Sequence, residues 1–266
     1  MTDNSHSDYS RYFSLKQRVY LINMSTERDI EEFESLSGII SSRHGDRIDL
    51  HLPYSIGLES PAITGYTTSF KLTSESMGSG IQVMTDLLDI VQGNVFQLKL
   101  RGTLEMFQRR TSVRVDTTAG FYQLKRDFSL SFYRKEWRRV TAYLKTKGLP
   151  PNLPLHMTHL NLSMGGIRVA AEPREQQSPL SMVFIDLNDG TYPVCAVAEA
   201  VWSRKDDDEI VTGHRFIQIL KHDQERLNRY VVDLLKNQGA DVPLGKKNWE
   251  LLDQMIYSHE QLESKR

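Results

Sequence analysis

Cysteine is almost absent from this chain, and its scarcity excludes two chemistries. Cys195 stands alone, so neither an internal disulfide nor a cysteine-rich metal site can form. It lies in the apolar run Val194-Cys195-Ala196-Val197 and reads as a small buried residue, not a nucleophile. Long apolar runs are missing too. Nothing approaches the ~18 to 20 consecutive apolar residues that cross a bilayer as a helix. The opening MTDNSHSDYSRYF has no basic region followed by an apolar core, so no secretory signal is read there. The expected location is cytoplasmic, with peripheral attachment to a membrane complex left open. An excess of one charge is lacking as well: 33 Lys and Arg stand against 34 Asp and Glu, a formal net charge of -1. Nothing global points to DNA, RNA or an anionic membrane, so any anion site must come from local clustering.

Signatures of catalysis are also wanting. There is no phosphate-binding P-loop, no G-x-S-x-G and no paired-carboxylate motif in a recognisable setting. The eight histidines are scattered; His156 and His159 flank a short run without carboxylate or cysteine companions at a useful spacing. Asp206-Asp207-Asp208-Glu209 falls between two strand candidates and reads as a solvated hairpin loop. No catalytic residue and no metal ligand is assigned, and no enzymatic activity is expected.

What is present is β-like punctuation. Hydrophobic residues at 39% and charged residues at 25% fit a globular chain, and 266 residues suffice for two ordinary domains. Residues 26 to 34 read as a helical turn. Ser37 to Ser42, a His44-Gly45-Asp46 turn and Arg47 to Pro53 predict a hairpin, with Ile48, Leu50 and Leu52 alternating as a half-buried strand requires. Further strands are expected over 65 to 73, 80 to 91 and 94 to 101. Glycines 65, 78, 80, 93 and 102 are read as turns between them. This describes a small β domain ending near Met106, with a linker from Met106 to Arg110.

The pattern then restarts. Strands are predicted over Ser112 to Asp116 and over Arg126 to Tyr133, where Phe128, Leu130 and Phe132 alternate. Trp137, Val140, Tyr143 and Leu144 recur at helical spacing, so 135 to 147 reads as a short amphipathic helix ended by Gly148 to Pro154. Strands follow at about 155 to 162, 166 to 171, 180 to 187, 192 to 203 and 210 to 219. Many short strands with frequent turns favour a barrel or sandwich. A helix from Asp223, read as its N-cap, to Asn237 is ended by Gly239, and a second amphipathic helix is expected over Lys247 to Leu262.

Two motifs carry chemistry. Gln108-Arg109-Arg110-Thr111-Ser112-Val113-Arg114 offers three guanidiniums, which pair with phosphates and with the O6/N7 edge of guanine and stack on bases. Arg110 and Arg114 are four apart, so a continuous strand would point both to one face, with Arg109 opposite. Asn161-Leu162-Ser163-Met164-Gly165-Gly166 offers an amide, a hydroxyl and two glycines in a turn that lets a flat ligand approach the backbone. Either motif alone reads more readily as a solvated face or an ordinary turn. Their order across a domain entrance points to a receptor site for a small anionic, guanine-containing ligand.

The ordered pair resembles the PilZ domain, whose pattern is R-x-x-x-R followed by [D/N]-x-S-x-x-G. Arg110 and Arg114 match the first part, and Asn161, Ser163 and Gly166 match the second. Gly213-His214-Arg215-Phe216 resembles the family's late strand, and the helix after Asp223 its C-terminal helix. An upstream β domain entering through Gln108-Arg109-Arg110 is similar to YcgR-like flagellar-brake proteins. The resemblance covers 108 to 235 by residues and 12 to 107 by architecture alone.

The implied fold class is mainly β: a small N-terminal β-barrel domain, then a six-stranded antiparallel PilZ barrel with C-terminal α-helices. The implied division is a flexible 1–11, an N-terminal YcgR-like domain over 12–107, a PilZ domain over 108–238 and a helical extension over 239–266. The implied ligand is cyclic di-GMP, bound without chemistry and with no other cofactor. Arg110 and Arg114 would hold phosphates and guanine edges, Asn161 and Ser163 would hydrogen-bond the ligand, and Gly165 and Gly166 would leave it room. Arg109 would meet a second ligand molecule. The implied partner is a protein effector, a flagellar motor or stator component or part of a polysaccharide machinery, and not a nucleic-acid polymer. Such a protein would be cytoplasmic, at most peripheral at a membrane complex or the flagellar basal body. Two features depart from the usual pattern: Asn161 stands where many relatives carry Asp, and the segment between the motifs is lengthened by KEWRRVTAYLKTK. The competing reading is a PilZ-fold interaction scaffold that binds no nucleotide.

Overall fold

A computed structural model describes residues 12–24, 32–57, 69–76, 79–108, 113–150, 152–171, 178–206 and 209–239. Six strands form the N-terminal half: β1 (Arg18–Asn23), β2 (Glu32–His44), β3 (Arg47–His51), β4 (Ser69–Ser76), β5 (Ser79–Val91) and β6 (Val95–Gln108). They pair antiparallel in the order β1-β4-β5-β6-β3-β2, and β1 pairs with β2 to close the barrel. The alternation RVYLIN sends Val19, Leu21 and Asn23 inward along β1, as a period of two demands. Closure leaves few unpaired edge groups, which is how a small sheet avoids strand-to-strand association.

The C-terminal half repeats the architecture with β7 (Val115–Lys125), β8 (His156–Ser163), β9 (Gly166–Ala171), β10 (Leu180–Asp186), β11 (Val194–Asp206) and β12 (Glu209–Leu220). Their order is β12-β11-β10-β7-β8-β9, and β12 pairs with β9 to close a six-stranded antiparallel barrel. The two barrels are joined by hydrogen bonds. The first residues of β2 pair with the last of β12, Glu34 with Gln218 and Glu32 with Leu220.

Two helices complete the fold. In α1 (Leu130–Lys147), the Ser129 side chain caps the start by accepting from the Phe132 N–H, and Gly148 ends it at φ 74. The first helical N–H groups have no intrahelical partner. Here Leu130 N donates to Ser55 O and Ser131 N to Ile56 O, both at 3.0 Å. Gly57 follows at φ +83, and a Cβ there would overlap the Ser131 hydroxyl. Leu130, Tyr133, Trp137 and Leu144 are buried, against the outer side of β10 and β11. Trp137 Nε1 donates to Cys195 O at 2.9 Å. One core fills the N-terminal barrel and continues through α1 to Met182, Cys195 and Val197, so α1 wedges the two barrels together. The other core, including Leu160, Ile185 and Phe216, fills the second barrel. It is plugged at one end by Leu227 and Val231 of α2 (Lys221–Asn237).

Several expectations give way to this arrangement. Residues 126 to 133 are not a strand: the helix begins at Leu130, and Phe128 and Phe132 stand 44% and 41% exposed. The buried stripe 130, 133, 137, 144 outcompetes the alternation of 128, 130 and 132, and Tyr143 is exposed. Glu32 to Glu34 are strand and not helical turn, because β12 supplies them a ladder partner. The rest of that turn falls outside the described residues, as do 65–68, Gly78, residues 1–11 and the helix expected over 247–262. Strand β7 starts at Val115 and runs to Lys125, well past Asp116. Gly80 and Gly102 lie inside strands. Gly102 adopts φ +80 at a bulge, where the pairing passes from Gln82–Glu105 to Met84–Arg101. Met106 is a buried strand residue and not the start of a linker. Asp223 is not an N-cap. Helix α2 starts at Lys221, and Asp223 is buried, accepting from Arg226 Nη1 at 2.8 Å.

Candidate functional site

The second motif spans the β8–β9 turn. Met164 and Gly165 form the turn, with Ser163 opposite Gly166. Ser163 is 5% exposed, and its hydroxyl donates to Gly166 O at 3.2 Å, tightening the hairpin. The turn lies against β12: Phe216 N donates to Gly165 O at 2.9 Å. A Cβ on Gly166 would overlap the His214 carbonyl oxygen and press on Arg215 Cα, whereas one on Gly165 would meet nothing within 4 Å. Glycine at 166 is therefore demanded by the barrel's own backbone, before any ligand is considered.

Asn161 belongs to a cross-strand row. Register places Asp116 of β7 opposite Asn161, Asn161 opposite Arg168 of β9, and Arg168 opposite Gly213 of β12. Paired residues share a face. Asn161 Nδ2 donates to Asp116 Oδ1 at 3.0 Å, and Arg168 Nη2 reaches the same oxygen at 3.0 Å. The Asp116 and Arg168 side chains remain 54% and 46% exposed. At the end of the row, a Cβ on Gly213 would overlap the indole of Trp202, so that indole, 44% exposed, rests on the glycine. Carboxylate, amide, guanidinium and indole thus follow one another across four strands. A groove of about 510 Å³ continues along the same face between Met157, His159, Ala170, Arg204 and Val211.

This row can bind a flat polar anion. With its N–H committed to Asp116, Asn161 keeps a carbonyl for a donor such as a guanine N–H. Arg168 keeps further N–H groups for phosphate or a purine edge, and Trp202 offers a stacking face. Sequence reasoning missed Asp116, Arg168 and Trp202. Each lies in a strand stretch, but only the register reveals that they adjoin Asn161. Among the arginines, Arg114 is exposed and stands two residues before Asp116, outside any strand. The continuous strand that would align it with Arg110 is therefore absent at 113–114. Arg109 and Arg110 lie outside the described residues. His156 and His159 are exposed, and among the described residues no group of three His, Cys, Asp or Glu side chains could hold a metal ion.

Along the same face, two residues on from Gly213, β12 leads to a second polar region. Arg215 lies opposite Gly166 on one side and opposite Glu199 of β11 on the other. Its guanidinium lies over the Tyr20 ring of the N-terminal barrel, 3.8 Å from the centroid. Glu199 is fully buried and accepts from the Ser37 hydroxyl and, at 3.4 Å, from Tyr54 OH; Arg18 Nη1 lies 3.9 Å away. Burial pushes its carboxyl above the ordinary range, against the hydrogen bonds and the charges of Arg18 and Arg215. Nearby, Arg134 of α1 and Glu34 of β2 form a buried ion pair, and Asn23 Nδ2 donates to Glu34 Oε2 at 2.9 Å. His214, buried beside the turn, meets Gln123 Nε2 at 3.0 Å. Burial, helped by Lys125, lowers its pKa to about 4.

Residues 132–233 match the PilZ domain model, and the C-terminal half of the chain carries a PilZ domain. The match includes the Asn161–Gly166 motif and begins after the arginines. Among solved structures, the Bacillus subtilis inhibitor of motility MotI/DgrA is 12% identical with a TM-score of 0.34, over 85% of this chain and 99% of that one. Escherichia coli YcgR in complex with c-di-GMP is 13% identical with a TM-score of 0.31, over 83% and 85%. K. pneumonia MrkH in its apo state is 14% identical with a TM-score of 0.36, over 84% and 90%. These are distant likenesses. No curated protein sequence matches the chain. No helix among the described residues is long and apolar enough to cross a membrane.

Proposed function

We propose that this chain is a receptor for cyclic di-GMP that performs no chemistry on it and acts by changing how its two barrels are arranged. The observation that carries the reading is the exposed row Asp116–Asn161–Arg168–Trp202, which begins two residues after Arg114 and includes the motif amide. A cyclic dinucleotide has two negative charges and two purine faces, and this row with the motif arginines offers guanidiniums, a carbonyl acceptor and an aromatic face. Arg110, Arg114 and Arg168 hold phosphates or guanine edges, and Asn161 accepts from a guanine. Ser163, Gly165 and Gly166 keep the turn flat against β12, so the ligand can lie across it. Arg109 contacts a second ligand molecule. The changed surface engages or releases a protein effector, of the motility or exopolysaccharide apparatus, in the cytoplasm or at the cytoplasmic side of a membrane complex.

Calorimetry of the whole chain with cyclic di-GMP tests this, reporting affinity and stoichiometry. A charge-assisted hydrogen bond contributes roughly 1.5 to 3 kcal/mol, so Arg110→Ala and Arg114→Ala should each weaken binding about tenfold or more. A second reading is favoured by one observation: Asn161 and Gly166 already have structural duties, toward Asp116 and toward β12. In that reading the chain is a PilZ-fold interaction scaffold without a nucleotide. Absence of both heat and thermal shift at high ligand concentration would leave the scaffold standing.

A further inference from the structure

We infer that Arg215 is the positioning residue through which the motif turn sets the register of the N-terminal barrel on the C-terminal barrel, with buried Glu199 as its counter-charge. The inference rests on the receptor reading for its trigger, but not for the latch itself.

Three observations place Arg215 there. Its backbone is flanked on both sides by contacts to the motif turn: Arg215 pairs with Gly166, whose missing Cβ makes room for the preceding carbonyl, His214 O, and the next residue, Phe216, donates its N–H to Gly165 O at 2.9 Å. Its side chain does not stay on its own barrel. The guanidinium lies 3.8 Å from the centre of the Tyr20 ring, a cation–π contact across the boundary between barrels. Its cross-strand neighbour Glu199 is fully buried, and the hydroxyls it accepts from, Ser37 and Tyr54, both belong to the N-terminal half. One row, Gly166–Arg215–Glu199, therefore runs from the ligand-facing turn to the contact between barrels.

The electrostatics make this contact selective. A carboxylate removed from water is tolerated only where donors and cations meet it, and a buried charged group is best attested as a device that fixes register. If the N-terminal barrel slides, Glu199 keeps Arg215 as its neighbour but loses Ser37, Tyr54 and Arg18 together, and Arg215 loses the Tyr20 ring. Intermediate arrangements that keep Glu199 dry and unpartnered are disfavoured, so the barrels have a docked register and a parted, hydrated one. A ligand that shifts the turn biases that choice only as far as it prefers one arrangement. Arg215 touches the turn through backbone and the other barrel through its side chain, so it links the two.

The test places fluorophores at Arg47→Cys and Glu225→Cys, exposed positions on opposite barrels, in the full chain; Cys195 is buried and does not compete for label. Energy transfer is read with and without cyclic di-GMP, beside calorimetry of the same proteins. Arg215→Gln and Tyr20→Leu should both lose the ligand-dependent change in transfer, and Tyr20→Leu, on the other barrel, should keep cyclic di-GMP affinity within about twofold. Arg215→Lys keeps the charge without the planar stack and should recover part of it. Glu199→Gln should broaden the transfer distribution without ligand. Wild-type binding with the same change in Arg215→Gln overturns the inference and leaves the receptor intact. Wild-type binding with no change in transfer also overturns it. Absence of wild-type binding removes the receptor reading, and the ligand-free distributions then decide: identical ones in wild type, Arg215→Gln and Glu199→Gln overturn the latch.

Discussion

Two carboxylate–guanidinium regions, one on the outer face of the C-terminal barrel and one where the barrels meet, differ chiefly in solvent. On the outer face, Asp116 and Arg168 meet at 3.0 Å with about half of each side chain in water. At the contact between barrels, Glu34 and Arg134 pair at 9% and 7% exposure, and Glu199 has none at all. Exposed pairs of this kind contribute about 0.2 to 1 kcal/mol and are free to exchange partners. Buried ones cannot lose a partner cheaply, because the remaining charge stays out of water. The first region is suited to taking up a ligand, the second to holding an arrangement.

The sharpest way to break this contrast is Arg134→Met, which strands Glu34. Stability of the whole chain in urea should fall by about 3 to 5 kcal/mol; a loss like that of a surface pair would mean the contact is wetter than it looks. The next effect is smaller and depends on acid. His214 is held neutral with a pKa of about 4 against 6.5 in the unfolded chain. Between these values the unfolded chain binds the extra proton, so stability falls as pH drops from 6.5 and the loss is complete near 4. The difference should reach about 3 kcal/mol, at 1.36 kcal/mol per pKa unit, and His214→Gln should flatten that part of the profile. On the outer face, Arg168→Ala should cost about 1.5 to 3 kcal/mol of cyclic di-GMP affinity by calorimetry while leaving the urea midpoint nearly unchanged. The smallest effect is Asp116→Asn, expected to alter stability by about 1 kcal/mol or less. A larger loss would move Asp116 into the structural region.

The sequence made much of the C-terminal strand pattern legible because one-face burial enforces a period of two. The runs at 166 to 171, 180 to 187 and 210 to 219 coincide closely with β9, β10 and β12. It misled where two periods overlapped. Phe128, Leu130 and Phe132 alternate like a strand, yet Ser129 can cap a helix and Leu130, Tyr133 and Trp137 share a helical face. Packing on β10 and β11 decided between them. The lengthened segment between the motifs became α1, seated between the barrels on strands away from β8 and β9. Asn161 was legible as a motif residue; its neighbours were not, since Asp116 is 45 residues away in the chain.

By itself the sequence determined the local chemistry. It set which residues can alternate, that Gly148 and Gly239 end helices, that a lone cysteine forms no internal disulfide, and that an amide, a hydroxyl and two glycines fall close together between Asn161 and Gly166. Only the tertiary structure decided what those groups face. Closing a sheet brings strands distant in sequence into register, so Asn161 acquires Asp116 and Arg168, and Arg215 acquires Gly166, Glu199 and Tyr20. Burial then sets their energetics: the same carboxylate and guanidinium are interchangeable surface charges on the outer face of the C-terminal barrel and a fixed register where the barrels meet, because water screens the first pair and is excluded from the second.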